Sequence, residues 1–163
     1  MNITTQQIKK LRDETGVSVM QCKKALEEAG GDLEKAKIIL RKISRQEAEK
    51  KSGRTLGAGI VASYVHSNSS VGAMVELLCE TDFVARNEEF KSLARDIAMH
   101  VTALAPLYLK MEDIKEEEDK EKVLLEQTFI KNPEINIRVL IEQAIQKFGE
   151  RIEIGRFARF SIN

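Results

Sequence analysis

The residue types that ordinarily do chemistry are present, but they are not arranged for it. His66 and His100 have no HxxE or HExxH partner and no Cys/His cluster around them, so neither has the spacing of a zinc ligand or a triad base. Cys22 and Cys79 lie far apart and form no CxxC, which excludes a structural zinc site on spacing and fits a reducing compartment. Gly57-Ala58-Gly59 precedes a strand-like run instead of following one, and SGRTLG lacks a Lys-Ser/Thr at P-loop spacing; neither cradles a nucleotide. The acidic residues fall on polar faces and helix starts, where solubility and the helix dipole account for them. No nucleophile stands beside a base. The expectation is a protein that is not an enzyme, with no catalytic residue, no metal site and no cofactor.

Two positions break the local pattern. Glu80 to Arg86 joins a strand end to a helix start, and Phe83 within it lies outside the apolar stripe of the helix that follows. A hydrophobic staple does not explain it, because with Asn87 as cap the staple pair would be Arg86 and Lys91. Phe83 therefore either plugs the space beneath the loop or anchors a partner, since an aromatic ring on a rigid turn beside an acid is typical of interface hot spots. Met20 is the second position. At ~100° per residue it projects away from the Cys22, Ala25, Leu26 and Ala29 face, flanked by Lys23 and Lys24, which is a binding signal for a flexible thioether.

The elements that must position these residues are legible from caps and periods. Residues 1–45 read as three short helices. Capping boxes at Thr4/Gln7 and Ser18/Gln21 open the first two, Asp32 opens the third, and Thr15-Gly16 and Gly30-Gly31 separate them. Residues 46–57 form a polar, basic and glycine-ended stretch, a linker or a frayed continuation of the third helix. From residue 58 to 163 the period changes. Ile60, Ala62 and Tyr64 lead through the turn Ser67 to Ser70 into Val71, Ala73, Val75, Leu77 and Cys79, a hairpin. Asn87 then caps a long helix with Phe90, Leu93, Ala94, Ile97, Ala98, Val101 and Leu104 on one stripe, ended by Pro106. The charged run Glu112 to Lys122 reads as a solvated helix or loop. Asn136 caps a last helix, and a closing strand is expected to keep Ile152, Ile154, Ala158, Phe160 and Ile162 on one face. The fold class is α+β: a three-helix domain, then a small three-stranded antiparallel sheet packed with helices.

Composition agrees with an ordinary globular chain, 42% apolar and 32% charged over 163 residues, enough to bury a core. Net charge is zero, yet it divides into 13 Lys+Arg against 8 Asp+Glu up to Arg54 and 13 against 18 beyond it. A balanced chain lacks the field of a dedicated nucleic-acid binder. No apolar run approaches the ~18 residues that cross a bilayer, and no secretory leader opens the sequence. The expectation is a cytoplasmic protein without direct nucleic-acid or membrane partners.

LRDETGVSVMQCKKAL (Leu11 to Leu26) and ETDFVARNEEF (Glu80 to Phe90) resemble the two signatures of the translation elongation factor Ts family, and GDLEKAKIILRK, FIKNP and GERIEIGRFARF match in order as well. The resemblance covers nearly the whole chain. It implies a ubiquitin-associated-like three-helix domain followed by a core, together gripping the GTPase elongation factor Tu and promoting GDP release. It places Thr81, Asp82, Phe83 and Val84 in the loop that intrudes beside the partner's nucleotide pocket and dislodges Mg²⁺, and Val19, Met20 and Lys23 in the N-terminal contact. Longer members carry two related core halves, whereas this chain has one sheet's worth of sequence. Short members pair their cores, which implies a homodimer built on a sheet or strand edge.

Two readings from other classes compete with exchange. In one, the three-helix domain is an adaptor for ubiquitin-like or peptide partners and the sheet only dimerises. In the other, the chain is a small hydrolase, for which no acid or histidine pair offers itself.

Overall fold

The computed structural model describes residues 3–162. The chain divides into two compact units, one holding the stretch up to Gly53 together with Ile141–Glu150, the other Arg54–Leu140 with the stretch from Arg151 onward.

In the first unit α1 (Thr5–Thr15) begins at Thr4, whose side chain accepts the Gln7 N–H while Gln7 returns the bond, and ends at Gly16 in the left-handed region, φ 70°, where a side chain is disfavoured. Ser18 caps α2 (Val19–Glu28) and Asp32 caps α3 (Leu33–Lys51). Leu11, Val17, Cys22, Ala25, Leu26, Ala36 and Leu40 make the core, so each helix turns one stripe inward. Of the two expectations for residues 46–57, a linker or a continuation of the third helix, the first part is helix, since α3 runs on to Lys51. Its polar tail is helical because Arg45–Glu49, Lys50–Glu47 and Lys51–Glu47 pair at one-turn spacing.

The second unit is built on a sheet of order β1-β2-β5, all antiparallel. β1 (Ala58–Val65) and β2 (Val71–Cys79) form the hairpin, and β5 (Glu153–Ser161) joins the free side of β2. Helix α5 (Glu88–Leu104) packs on this sheet, burying Phe90, Ala94, Ile97, Ala98 and Val101 against Ala62, Ala73, Val75 and Leu77. A one-turn helix, α4 (Asp82–Ala85), stands between β2 and α5. The charged run folds into 3-10 turns at Met111–Asp113 and Glu117–Lys122, and β3 (Thr128–Phe129) with β4 (Asn132–Asn136) adds a small hairpin absent from the sequence reading. The last helix, α6 (Ile137–Phe148), follows directly. Sequence reading placed all of it in the core domain, whereas its Ile141 onward groups with the first unit. An apolar stripe announces a buried face without naming what buries it.

One expectation fails for a definite reason. Ile152 and Ile154 are buried, but Phe160 is 73% and Ile162 84% exposed, so they do not share a face. Val75 pairs with Phe157 while Leu77 pairs with Ile154, which leaves Gly155 and Arg156 together opposite Glu76. This bulge shifts the register by one residue, and a one-residue shift moves every later side chain to the other face. Gly155 suits the bulge, since a Cβ there would meet Glu76 Oε2 at 2.8 Å.

Among the described residues no helix is long and apolar enough to cross a membrane, and no group of three His, Cys, Asp or Glu side chains is placed to hold a metal.

Candidate partner-binding site

The corner between β2 and α5 is assembled from capping bonds. Thr81, in extended backbone, caps α4 by accepting the Val84 N–H at 3.4 Å, while its carbonyl accepts the Ala85 N–H at 3.2 Å and the Cys79 thiol at 3.3 Å. Asp82 and Val84 carbonyls accept from Arg86 and Asn87, each at 3.0 Å, and Asn87 immediately caps α5 through the Glu89 N–H at 2.8 Å. Two caps six residues apart thus leave one helical turn with no slack between them.

The turn has an inside and an outside. Val84 and Ala85 are buried against the sheet, and Thr81, Asp82 and Phe83 face solvent, with Phe83 84% exposed. Such exposure removes the reading of Phe83 as a plug beneath its own loop. Leaving a benzyl ring in water while alanine and valine beside it are buried is unfavourable by the area rule of apolar transfer, and a single exposed aromatic on a rigid turn is the form that interface anchors take. Of the four residues singled out in this corner, three face solvent and Val84 supports them from beneath.

In the first unit, Val19 and Met20 open α2, both exposed, Met20 to 68%. Lys23, one turn on, is exposed and pairs with Glu27 at 3.8 Å. Beneath them Cys22 is buried; its thiol reaches the Val17 carbonyl at 3.5 Å and Thr15 Oγ1 at 3.9 Å. Burial pushes the Cys22 thiol up, against smaller opposing effects of Thr15 and Arg12, so it stays protonated and serves packing. The wheel singled out Met20 with Lys23 beside it, the family resemblance added Val19, and all three are exposed on one helical turn.

The comparison with known proteins decides the family. The family described as Elongation factor TS matches residues 4–122. The curated "Elongation factor Ts" of Carboxydothermus hydrogenoformans is 44% identical, covering 98% of this chain and 89% of that protein.

This chain belongs to the elongation factor Ts family.

The elongation factor Ts of Thermodesulfovibrio yellowstonii is 44% identical over 99% of this chain and 97% of its own length, and that of Thermotoga petrophila 45% over the same shares. The matched span holds both the α2 surface and the Thr81–Val84 corner. The alignment with the Carboxydothermus protein extends over 193 positions, more than the 163 of this chain, so that relative carries residues for which this chain has no counterpart.

What sequence reasoning missed at the site is Glu80. It stands inside the second signature without breaking any pattern, although an acid between a strand end and a capping threonine is a residue with a local partner to find.

Proposed function

We propose that this chain is a guanine nucleotide exchange factor for elongation factor Tu, binding the GDP-loaded GTPase and promoting release of GDP during translation elongation. The observation that carries the reading is Phe83: an aromatic ring held outward by two consecutive helix caps, with no packing role in its own chain. Family membership supplies the partner.

In this reading the Thr81–Val84 corner enters beside the nucleotide pocket, Phe83 wedges into packing next to it, Asp82 lies at the mouth, and Val84 keeps the turn seated. Mg²⁺ bridges the nucleotide phosphates to the GTPase and demands a strict octahedral shell at short distances, so a small displacement of its surroundings dislodges it and weakens GDP. Val19, Met20 and Lys23 give the second contact, from a three-helix domain of ubiquitin-associated-like type. Coupling between two ligands of one protein is reciprocal: a factor that loosens GDP is itself loosened by GDP. Exchange is therefore accelerated, and its direction is set by nucleotide concentrations.

The outer face of the sheet supports a homodimer. Val65, Met74, Phe160 and Ile162 are exposed and line one surface there, apolar in the way that marks an interface, and Val61 is exposed as well. The occupant is a second copy of the same sheet.

The reading is tested by mixing the protein with elongation factor Tu carrying a fluorescent GDP and an excess of unlabelled nucleotide. The expected result is a release rate that rises with concentration of the factor and saturates. A release rate independent of the factor overturns it.

A further inference from the structure

Glu80 lies between the last residue of β2 and the cap of α4. The β2–β5 ladder runs through Leu77↔Ile154 and Leu78↔Glu153 and then stops. In the same register Glu80 stands opposite Arg151, but its backbone is already leaving toward the corner. Its side chain takes over: Oε1 accepts the Arg151 backbone N–H at 2.6 Å and lies 3.4 Å from Arg54 Nη1. Arg151 in turn holds Glu153 Oε1 through Nε at 3.0 Å and Nη2 at 2.6 Å and donates to the Arg54 carbonyl. Three segments remote in sequence thus meet at one carboxylate, directly beneath the corner. On the other side of β2 there is little room, since a Cβ on Gly57 would meet the Glu80 carbonyl at 3.3 Å.

We infer that Glu80 is the positioning residue of the exchange corner, its carboxylate replacing the lost ladder acceptor and thereby fixing the direction in which Phe83 points. This rests on the exchange reading given above. A wedge works only if its root does not yield, because every conformation open to the free corner must be given up on binding, and a misplacement of about 1 Å can cost a hundredfold in a geometry-dependent step. The bond is part-buried, and an N–H that loses its acceptor where water reaches it only in part is costly as well. Reach, more than charge, is what the geometry uses: the bond to the backbone N–H is 2.6 Å, against 3.4 Å to the Arg54 guanidinium.

The experiment uses the full chain, elongation factor Tu loaded with fluorescent GDP, and four variants. Glu80→Gln keeps the reach and removes the charge; Glu80→Asp keeps the charge and shortens the reach; Glu80→Ala removes both; Phe83→Ala is the reference. Maximal release at saturating factor, the concentration giving half of it, and thermal melting are measured for each. The expected result is Glu80→Gln within about threefold of wild type, the gap expected between charged and neutral acceptors, and Glu80→Asp and Glu80→Ala slowed about tenfold in maximal rate with half-saturation within about threefold. In the Phe83→Ala background, Glu80→Ala adds no further slowing, as required of a residue acting through another. Wild-type rates in Glu80→Asp and Glu80→Ala overturn the inference, and so does additive slowing with Phe83→Ala. A wild-type rate in Phe83→Ala itself overturns the exchange reading of the corner first, and the two failures are thereby told apart. Should Glu80→Ala melt below the assay temperature, the contrast between Glu80→Gln and Glu80→Asp decides.

Discussion

Phe83 and Val84 are consecutive residues on opposite sides of one helical turn, the ring almost wholly in solvent and the valine 5% exposed. The pair divides presentation from support, and the division is measurable. Phe83→Ala is expected to melt like the wild type, with a stability change within about 0.5 kcal/mol, as for surface substitutions generally. Val84→Ala leaves a void against the sheet and is expected to cost about 1 to 3 kcal/mol. Denaturant titrations of the two variants check this, and a Phe83→Ala loss as large as that of Val84→Ala would return the ring to the core.

Met20 should act on affinity alone. It is exposed at the start of α2 with no partner in the core beneath it, so Met20→Ala is expected to leave melting unchanged. Loss of one apolar anchor raises the half-saturating concentration for exchange about tenfold, while the maximal rate stays within about twofold. A fall in maximal rate at unchanged half-saturation would place Met20 in the exchange step instead.

His100 makes stability depend on pH. It is buried on α5, and its tautomer is fixed by its neighbours: Gln127 Nε2 donates to the carbonyls of Glu121 and Leu104, which leaves Gln127 Oε1 to accept from His100 Nε2 at 3.1 Å, while His100 Nδ1 accepts the Ile130 N–H at 3.2 Å. Burial holds the imidazole below its usual range, opposed in part by the Gln127 bond. Protonation must take the Nδ1 lone pair from Ile130. The unfolded chain, titrating near 6.5, therefore binds protons more readily than the folded one, and stability falls as pH drops below about 6.5 and is insensitive to this group above it. Unfolding free energies at about pH 7.5 and about pH 5.0 should differ by more in the wild type than in His100→Gln. Equal differences in both proteins contradict the assignment.

Phe160 tests the dimer. Its ring lies on the outer sheet face beside Met74 and Val65, and Phe160→Glu is expected to convert a concentration-dependent dimer into a monomer in sedimentation velocity. A wild-type protein that stays monomeric at high micromolar concentration removes this face as an interface.

How far the sequence reached is plain from particular residues. Thr4, Ser18, Asp32, Asn87 and Asn136 announce helix starts because a capping side chain has a fixed spacing to the N–H it serves, and every one of them caps in the structure. Period two in Val71 to Cys79 and the 3.6-residue stripe of α5 carry the sheet and its covering helix. The face of Phe160 and Ile162 was misread because alternation assumes an unbroken register, and the sole warning was Gly155 inside a strand. The β3–β4 hairpin escaped because strands of 2 and 5 residues are too short to show a period. At the corner, Phe83 was visible as an aromatic residue outside any stripe. Glu80 was not, because its partner Arg151 is brought near only by the pairing of β5 with β2.

The most direct test of the account is the maximal rate of fluorescent GDP release from elongation factor Tu at saturating factor, wild type against Phe83→Ala, with the fold of the variant verified by its melt. The account predicts a fall of at least about tenfold in the variant, the scale of a hot-spot truncation, at unchanged thermal stability. An undiminished rate from a folded Phe83→Ala protein would contradict it.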